Sequence, residues 1–227
     1  MKKKIFFLVN NLEEFCSYDL LKKYLYDVSI TVGETFPEHP EDYDLVILWN
    51  YKKIIHGLNG ISNIILFHTS DLPKGKGWAP IYYTIVNKEE YYTITGLFAA
   101  NEVDSGDIIV KARFKMKDNY TATILRQWDN DISLILIKKI LEKFKDKPLK
   151  GMKQTGNETY FKRRYRDDNE ISLDERLKEI VDKLRASEPQ HPAFFFYNGY
   201  KYFIFIQPEF EPKFPDDLEI IFYDSTQ

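Results

Sequence analysis

Short apolar runs separated by polar segments dominate the first hundred residues of this chain. Each run is four or five residues long, and the runs lie at 5–9, 45–49 and 64–67, while residues 28–32 are predicted to form a short strand. Continuous apolar runs of this length predict strands that are buried on both faces of a sheet. Residues 12–26 instead carry apolar positions at helical spacing. This alternation predicts an α/β fold, a Rossmann-like, doubly wound and mostly parallel sheet.

The second half of the chain adds longer elements. The pattern predicts helices at 79–87 and 129–145, and strands at 91–99 and 108–117. After a polar linker at 146–157, a capping-box pattern at Ser172 predicts a helix to about residue 186, and Asn198-Gly199 predicts a hairpin over 193–206. With a last strand at 218–223, residues 147–227 form a small C-terminal α+β appendage on a core of residues 1–146.

Charge and cysteine content narrow the function classes. The formal net charge is −3 and no basic tail is present, which argues against nucleic acid as a partner. Cys16 is the only cysteine, so a disulfide framework and a cysteine-based metal site are excluded. The histidines show no metal-ligand spacing, so we expect no metal. The apolar start is too short for a signal peptide, and no run reaches membrane-spanning length. We therefore expect a cytoplasmic protein without a membrane partner.

The strongest chemical signal is a histidine at the end of an apolar run. His68 follows the run 64–67 and opens a loop rich in proline and glycine, and a turn beginning at Asp104 follows 36 positions later. A histidine and a carboxylate at two strand ends can form a general-base pair. The alternatives are a buried histidine bonded to a backbone carbonyl and an ordinary turn aspartate.

These residues carry a family resemblance. The pattern H-x-S-x-L-P over residues 68–73, followed by D-x-G-D-I at 104–108, resembles the folate-dependent formyltransferases, which include enzymes acting on methionyl-tRNA, glycinamide ribonucleotide and nucleotide sugars. Residues 158–168, 184–186 and 191–194 are similar to the segment after the core of sugar N-formyltransferases. The resemblance covers roughly residues 40–206. One position departs from the pattern, because Leu66 stands where the family usually has asparagine.

The resemblance implies a formyl transfer from 10-formyltetrahydrofolate without a metal, with His68 and Asp104 as catalytic residues. Ligands of open α/β sheets bind beyond the carboxyl ends of the strands, and His68 follows such an end. Asn50 ends the neighbouring run, and we expect its amide to replace the one missing at Leu66. The resemblance also implies folate contacts, largely through backbone, from Trp49, Tyr51, Ala99, Ala100, Asn101 and Val103.

The segment after the core favours the sugar branch of the family. About 70 residues are few for the barrel domain of tRNA-directed relatives, and the acidic balance also disfavours tRNA. We expect the acceptor to be a UDP- or dTDP-linked amino sugar, for lipopolysaccharide or flagellin glycan synthesis. Lys74, Lys76 and Trp78 are the candidate substrate contacts. A non-catalytic folate or nucleotide-sugar binding protein and a formyltransferase for another small amine remain open. Aromatic residues in the last strands suggest a homodimer.

Overall fold

The computed structural model describes residues 2–15, 18–58, 61–145 and 147–224. Cys16 lies outside these ranges. The strands are β1 (Lys4–Leu8), β2 (Ser29–Gly33), β3 (Leu45–Leu48), β4 (Ile64–His68), β5 (Lys76–Gly77), β6 (Tyr91–Phe98), β7 (Ile108–Lys115), β8 (Tyr160–Phe161), β9 (Ala193–Tyr197), β10 (Tyr200–Ile204) and β11 (Glu219–Phe222). The helices are α1 (Tyr18–Leu25), α2 (Pro80–Val86), α3 (Ala122–Lys143) and α4 (Leu177–Arg185), with short 3-10 turns at Leu12–Glu14, Pro40–Asp42 and Arg166–Asn169.

Seven strands form the central sheet in the order β11-β7-β6-β4-β3-β1-β2. Strands β2, β1, β3 and β4 are mutually parallel. Strand β6 is antiparallel to β4, β7 is antiparallel to β6, and β11 is antiparallel to β7. Five of the seven strands therefore point the same way, and the expected α/β, mostly parallel architecture is confirmed. The antiparallel β6 is the feature that decides where the site lies.

The two faces of the sheet are covered differently. Along β4, Ile65 belongs to the main core with α1 and α3, whereas Ile64 belongs to a second cluster under the loop that follows β3. Side chains alternate between faces along a strand, so Leu66 and His68 lie on the same face as Ile64. We call this the loop-covered face, and the other one the helix-covered face.

Three predicted helices differ in their bounds. The segment predicted as one helix at 12–26 is a 3-10 turn followed by α1. Helix α3 begins seven residues before the predicted start, because the Thr121 hydroxyl accepts a hydrogen bond from the Ile124 amide and caps the first turn. The capping-box residues Ser172 and Glu175 do bond to each other, but they close a separate turn, and α4 starts only at Leu177.

The residues after the core pair with it at three places. The predicted hairpin is present as β9 and β10, whereas the last predicted strand, β11, pairs with β7 at the edge of the central sheet. Earlier, β8 pairs with β5, and Met152 bridges to Ile108. The division at residue 146 stays a prediction, and these pairings join the residues after it to the core. In the described residues, no helix is long and apolar enough to cross a membrane.

The turn between β6 and β7 depends on one glycine. A Cβ atom on Gly106 would lie 1.8 Å from the carbonyl oxygen of Phe98, and a backbone atom cannot rotate away as a side chain can. We predict that Gly106→Ala lowers the free energy of unfolding by about 1–3 kcal/mol or more, measured by urea denaturation. Ser105→Ala is the matched control, because it removes one hydrogen bond, from Ser105 to the Glu102 carbonyl. Equal stability of the two variants would contradict the prediction.

Candidate active site

His68 is the last residue of β4, and its side chain is 8% exposed. The imidazole lies between two partners that come from loops. Its Nε2 is 2.8 Å from the carbonyl oxygen of Gly75, and its Nδ1 is 3.3 Å from Oδ2 of Asp104. The structure therefore brings together the two residues predicted to be catalytic, although 36 positions separate them in sequence.

These two contacts constrain the protons of the ring. A carbonyl oxygen only accepts hydrogen bonds, so Nε2 of His68 carries a hydrogen. Nδ1 faces a carboxylate, and that contact is attractive only when a proton lies between the two groups. The geometry therefore suits an imidazolium paired with an ionised Asp104. Such a ring can donate a proton or a hydrogen bond through Nε2 and can take a proton back afterwards.

Asp104 reaches His68 from the opposite end of β4. Phe98, the last residue of β6, pairs with Ile65 near the start of β4, because the two strands are antiparallel. The turn after β6 must then carry Asp104 back along the loop-covered face. The site consequently lies over this face, and it is not confined to the carboxyl edge of the sheet, as the general rule for open α/β sheets led us to expect.

The backbone of Asp104 is held in an unusual conformation. Its φ of 51° lies in the left-handed region, which is costly for residues other than glycine. The Nε2 of Gln154 donates to the carbonyl oxygens of Asp104 (2.7 Å) and Gly106 (2.9 Å), and Gly77 donates its amide to Oδ2 of Asp104 (2.9 Å). Sequence reasoning missed Gln154, because it lies in a polar segment without a periodic pattern. The buried Oε1 of Gln154 has no protein partner.

The segment around β8 holds the loop that covers His68. The Gly75 amide donates to Oγ1 of Thr159 (2.8 Å), and Gly75 has φ +73° with the Phe161 ring packed against its Cα side. The Lys76 ammonium, predicted to contact substrate, bonds to Glu158 at 2.8 Å while only 2% of the Lys76 side chain is exposed. This ion pair lowers the pKa of Glu158. Lys76 therefore has a structural partner and does not present a free ammonium to a diphosphate.

The remaining predicted substrate contacts lie at the surface. Lys74 is exposed, and the ring of Trp78 is 42% exposed. The guanidinium of Arg163 lies 4.7 Å from the centre of the Trp78 ring, so the indole is partly covered on one face. Lys74 and Trp78 belong to the segment that also supplies the Gly75 carbonyl and the Gly77 amide.

The predicted folate contacts divide into two groups. The Trp49 ring is buried in the main core against Phe7 (5.6 Å between ring centres), which leaves the backbone of Trp49 for the predicted folate contact. Tyr51 and Ala99 both pack on the cluster under the loop that follows β3. The remaining residues of the second predicted loop are half-buried or exposed, namely Ala100, Asn101 and Val103.

Leu66 stands where the resemblance would place an amide donor, and Asn50 is the residue predicted to replace that donor. Leu66 packs against a small apolar cluster that contains Leu72 and Leu97, and it has no hydrogen-bond donor in its side chain. Leu48 pairs with Leu66 in parallel register, so Asn50 follows two residues later at the level of His68. The Asn10 side chain donates to the Asn50 carbonyl (2.7 Å), which anchors the backbone there. In the described residues, no group of three or more His, Cys, Asp or Glu is arranged to hold a metal.

Known proteins resemble this chain in sequence and in fold. The family model described as "Formyl transferase" matches residues 38–134. A methionyl-tRNA formyltransferase of Pelagibacter ubique is 27% identical over 192 residues, covering 78% of this chain and 61% of that protein. The chain spans about half the length of the curated relatives it matches.

Two solved structures illustrate the range of the fold. HypX from Aquifex aeolicus in complex with tetrahydrofolic acid has a TM-score of 0.71 and 20% identity, covering 93% of this chain and 39% of that one. A sugar N-formyltransferase from Shewanella has a TM-score of 0.66 and 18% identity, covering 92% and 99%. At these identities the likeness shows a shared fold. The family match over residues 38–134 adds a similarity in sequence to formyl transferases within that part of the chain.

Proposed function

We propose that this protein is a sugar N-formyltransferase, which moves the formyl group of 10-formyltetrahydrofolate to the amine of a nucleotide-linked amino-deoxy sugar. The observation that carries the catalytic part of the proposal is the buried contact between Nδ1 of His68 and Asp104. An ordinary buried histidine needs only a backbone carbonyl. This one also contacts a carboxylate, and a carboxylate partner orients the imidazole and stabilises its charged form in acid–base chemistry.

Proton transfer is the main contribution that the protein would make to this reaction. A bond forms between the substrate nitrogen and the formyl carbon, the bond from that carbon to the folate nitrogen breaks, and one proton passes from the amine to that nitrogen. If Nε2 of His68 exchanges its hydrogen bond with the Gly75 carbonyl for one with the formyl oxygen, it can donate there as negative charge collects, and it can relay the amine proton. Asp104 keeps the charge of the imidazolium balanced throughout.

The loops after β3 and β6 support the folate part of the proposal. Tyr51 and Ala99 pack on one apolar cluster from these two loops, and exposed residues follow at 52–54 and 101–103. A flat heterocycle with several donors and acceptors suits a cleft with an apolar floor and backbone edges. The co-substrate would supply the formyl carbon, while the protein would orient it toward His68.

The choice of a sugar acceptor rests on charge and on likeness. A protein that binds tRNA neutralises several phosphates with lysine and arginine, whereas this chain has a net charge of −3. The Shewanella structure matches nearly the whole chain in fold. Methionyl-tRNA is the second candidate acceptor, because the sequence relative from Pelagibacter acts on it by name. UDP and dTDP both remain open as carriers, and the product would serve surface glycan synthesis.

The catalytic pair gives the first test of this proposal. We predict that His68→Ala lowers kcat by about 10²–10⁴, and that Asp104→Asn also lowers kcat, because an amide cannot balance an imidazolium. The double variant should be little worse than the weaker single variant, since the two residues act as one unit. His56→Ala, a change at an exposed histidine, is the control. Near wild-type turnover in His68→Ala would exclude the assignment.

Asn50 gives a second test. If its amide replaces the donor missing at Leu66, Asn50→Ala should lower kcat by roughly 10²–10³ while changing the KM for the folate much less, because the contact strengthens in the transition state. Lys53→Ala, at an exposed position in the same loop, is the matched control. An unchanged kcat would mean that His68 or the backbone alone stabilises the formyl oxygen.

The acceptor gives the third test. Incubation of the protein with 10-formyltetrahydrofolate and a panel of UDP- and dTDP-linked amino sugars should yield a formylated sugar, detected by mass spectrometry, and the His68→Ala variant should yield none. Charged initiator tRNA is included in the same panel. Formylation of the tRNA without any formylated sugar would replace the sugar proposal by the second candidate. Binding of folate without any product would favour a non-catalytic binding protein, and a formylated free amine would favour the small-amine alternative.

A further inference from the structure

The carboxylate of Asp129 is buried on the helix-covered face of the sheet, where it contacts Thr69, the residue after His68. Asp129, in the middle of α3, is 6% exposed. Its Oδ1 accepts hydrogen bonds from the hydroxyl of Thr69 at 2.7 Å and from the hydroxyl of Tyr92 at 3.0 Å. The three residues come from a loop, a helix and a strand that are distant in sequence.

Stability alone does not account for these polar groups. An ionisable group in a core is expensive to desolvate, and an apolar group of similar volume is often at least as stable. Burial raises the pKa of Asp129, while the charge of Arg126 and the two hydroxyl donors act against that shift. Arg126 is itself paired with Glu188, at 3.1 and 3.2 Å.

The donors to Asp129 are fixed in their roles. Burial raises the pKa of the Tyr92 phenol well above its usual value, and the negative charge of Asp129 adds to the effect. The phenol therefore stays protonated and donates at any working pH. The Thr69 hydroxyl has the same acceptor, so both hydrogen bonds converge on a single oxygen atom.

The loop leaving β4 is consequently held at three successive residues. His68 contacts Asp104 and Gly75 on one face, Thr69 is bonded to Asp129 on the other, and the Ser70 carbonyl accepts from the Thr95 hydroxyl at 2.6 Å. A single peptide unit joins His68 to Thr69. Any rotation of the backbone at Thr69 must therefore move the imidazole relative to Asp104.

We infer that Asp129 is a positioning residue for His68, which acts by accepting the hydrogen bond of Thr69 and so fixing the backbone from which the imidazole projects. The inference rests on the proposed catalytic role of His68. Displacement of a reacting group by about 1 Å can cost 10²-fold in rate, so the anchor matters for turnover even though none of its atoms need touch the substrate.

Two substitutions of Thr69 separate positioning from packing. Thr69→Val keeps the shape and removes the hydroxyl, and it should lower kcat by about 10–10²-fold with little change in KM. Thr69→Ser keeps the hydroxyl and should retain most of the wild-type kcat. Adding Asp129→Asn to Thr69→Val should cause little further loss, because the two residues share one contact. Ser133→Ala, a buried change one turn later in α3, is the control for folding.

The result that overturns the inference is a kcat loss that follows the folded fraction or is equal in Thr69→Val and Thr69→Ser. A spectroscopic measurement tests the positioning of His68 without the need for a known acceptor. The ring nitrogen signals of His68 in ¹⁵N NMR should move in Thr69→Val and stay in place in Thr69→Ser and Ser133→Ala. If the wild type formylates no acceptor but these signals behave as stated, the proposed function fails while the anchor stands. Unmoved signals in Thr69→Val refute the anchor.

Discussion

The antiparallel pairing of β6 with β4 is the constraint on which the site depends. In a fully parallel sheet, the loops after β4 and β6 would meet at one edge. Here the turn after β6 begins near Ile65, and Asp104 must travel back over the sheet to contact His68. The contacts that hold Asp104 in place follow from this path of the chain. Gln154 supports the left-handed backbone of Asp104, and the Gly77 amide fixes its carboxylate.

Local patterns in the sequence were sufficient to predict the fold and the pairing of His68 with Asp104. Apolar runs identify buried strands, and the spacing of His68 and Asp104 is visible in one chain without any structure. The same information misassigned Lys76, because a lysine between two glycines has the same local sequence whether it faces solvent or Glu158. It also missed Gln154 and Asp129. Their partners lie 37 to 60 positions away in sequence, and no periodicity encodes such contacts.

The site contains two polar residues that are held by several contacts, and one apolar position, Leu66. His68 and Asp104 are each held by at least two contacts, whereas Leu66, on the same face, is half-buried against an apolar cluster. A hydrogen-bond donor cannot be recovered at that position without changing the side chain. In the proposed reaction, negative charge on the formyl oxygen would be stabilised by the imidazole or by a loop above the sheet, and not by the side chain at Leu66.

The last strand of the sheet has a consequence for how the protein is made. Strand β11 pairs with β7, and Arg113 bonds to Glu219 across 106 positions of sequence. The central sheet can gain its seventh strand only after residue 222 has left the ribosome. Pairings between distant segments form slowly because loop closure comes first. During synthesis the chain therefore carries an open edge at β7, beside Lys111, whose ammonium bonds to the Leu72 carbonyl in the His68 loop.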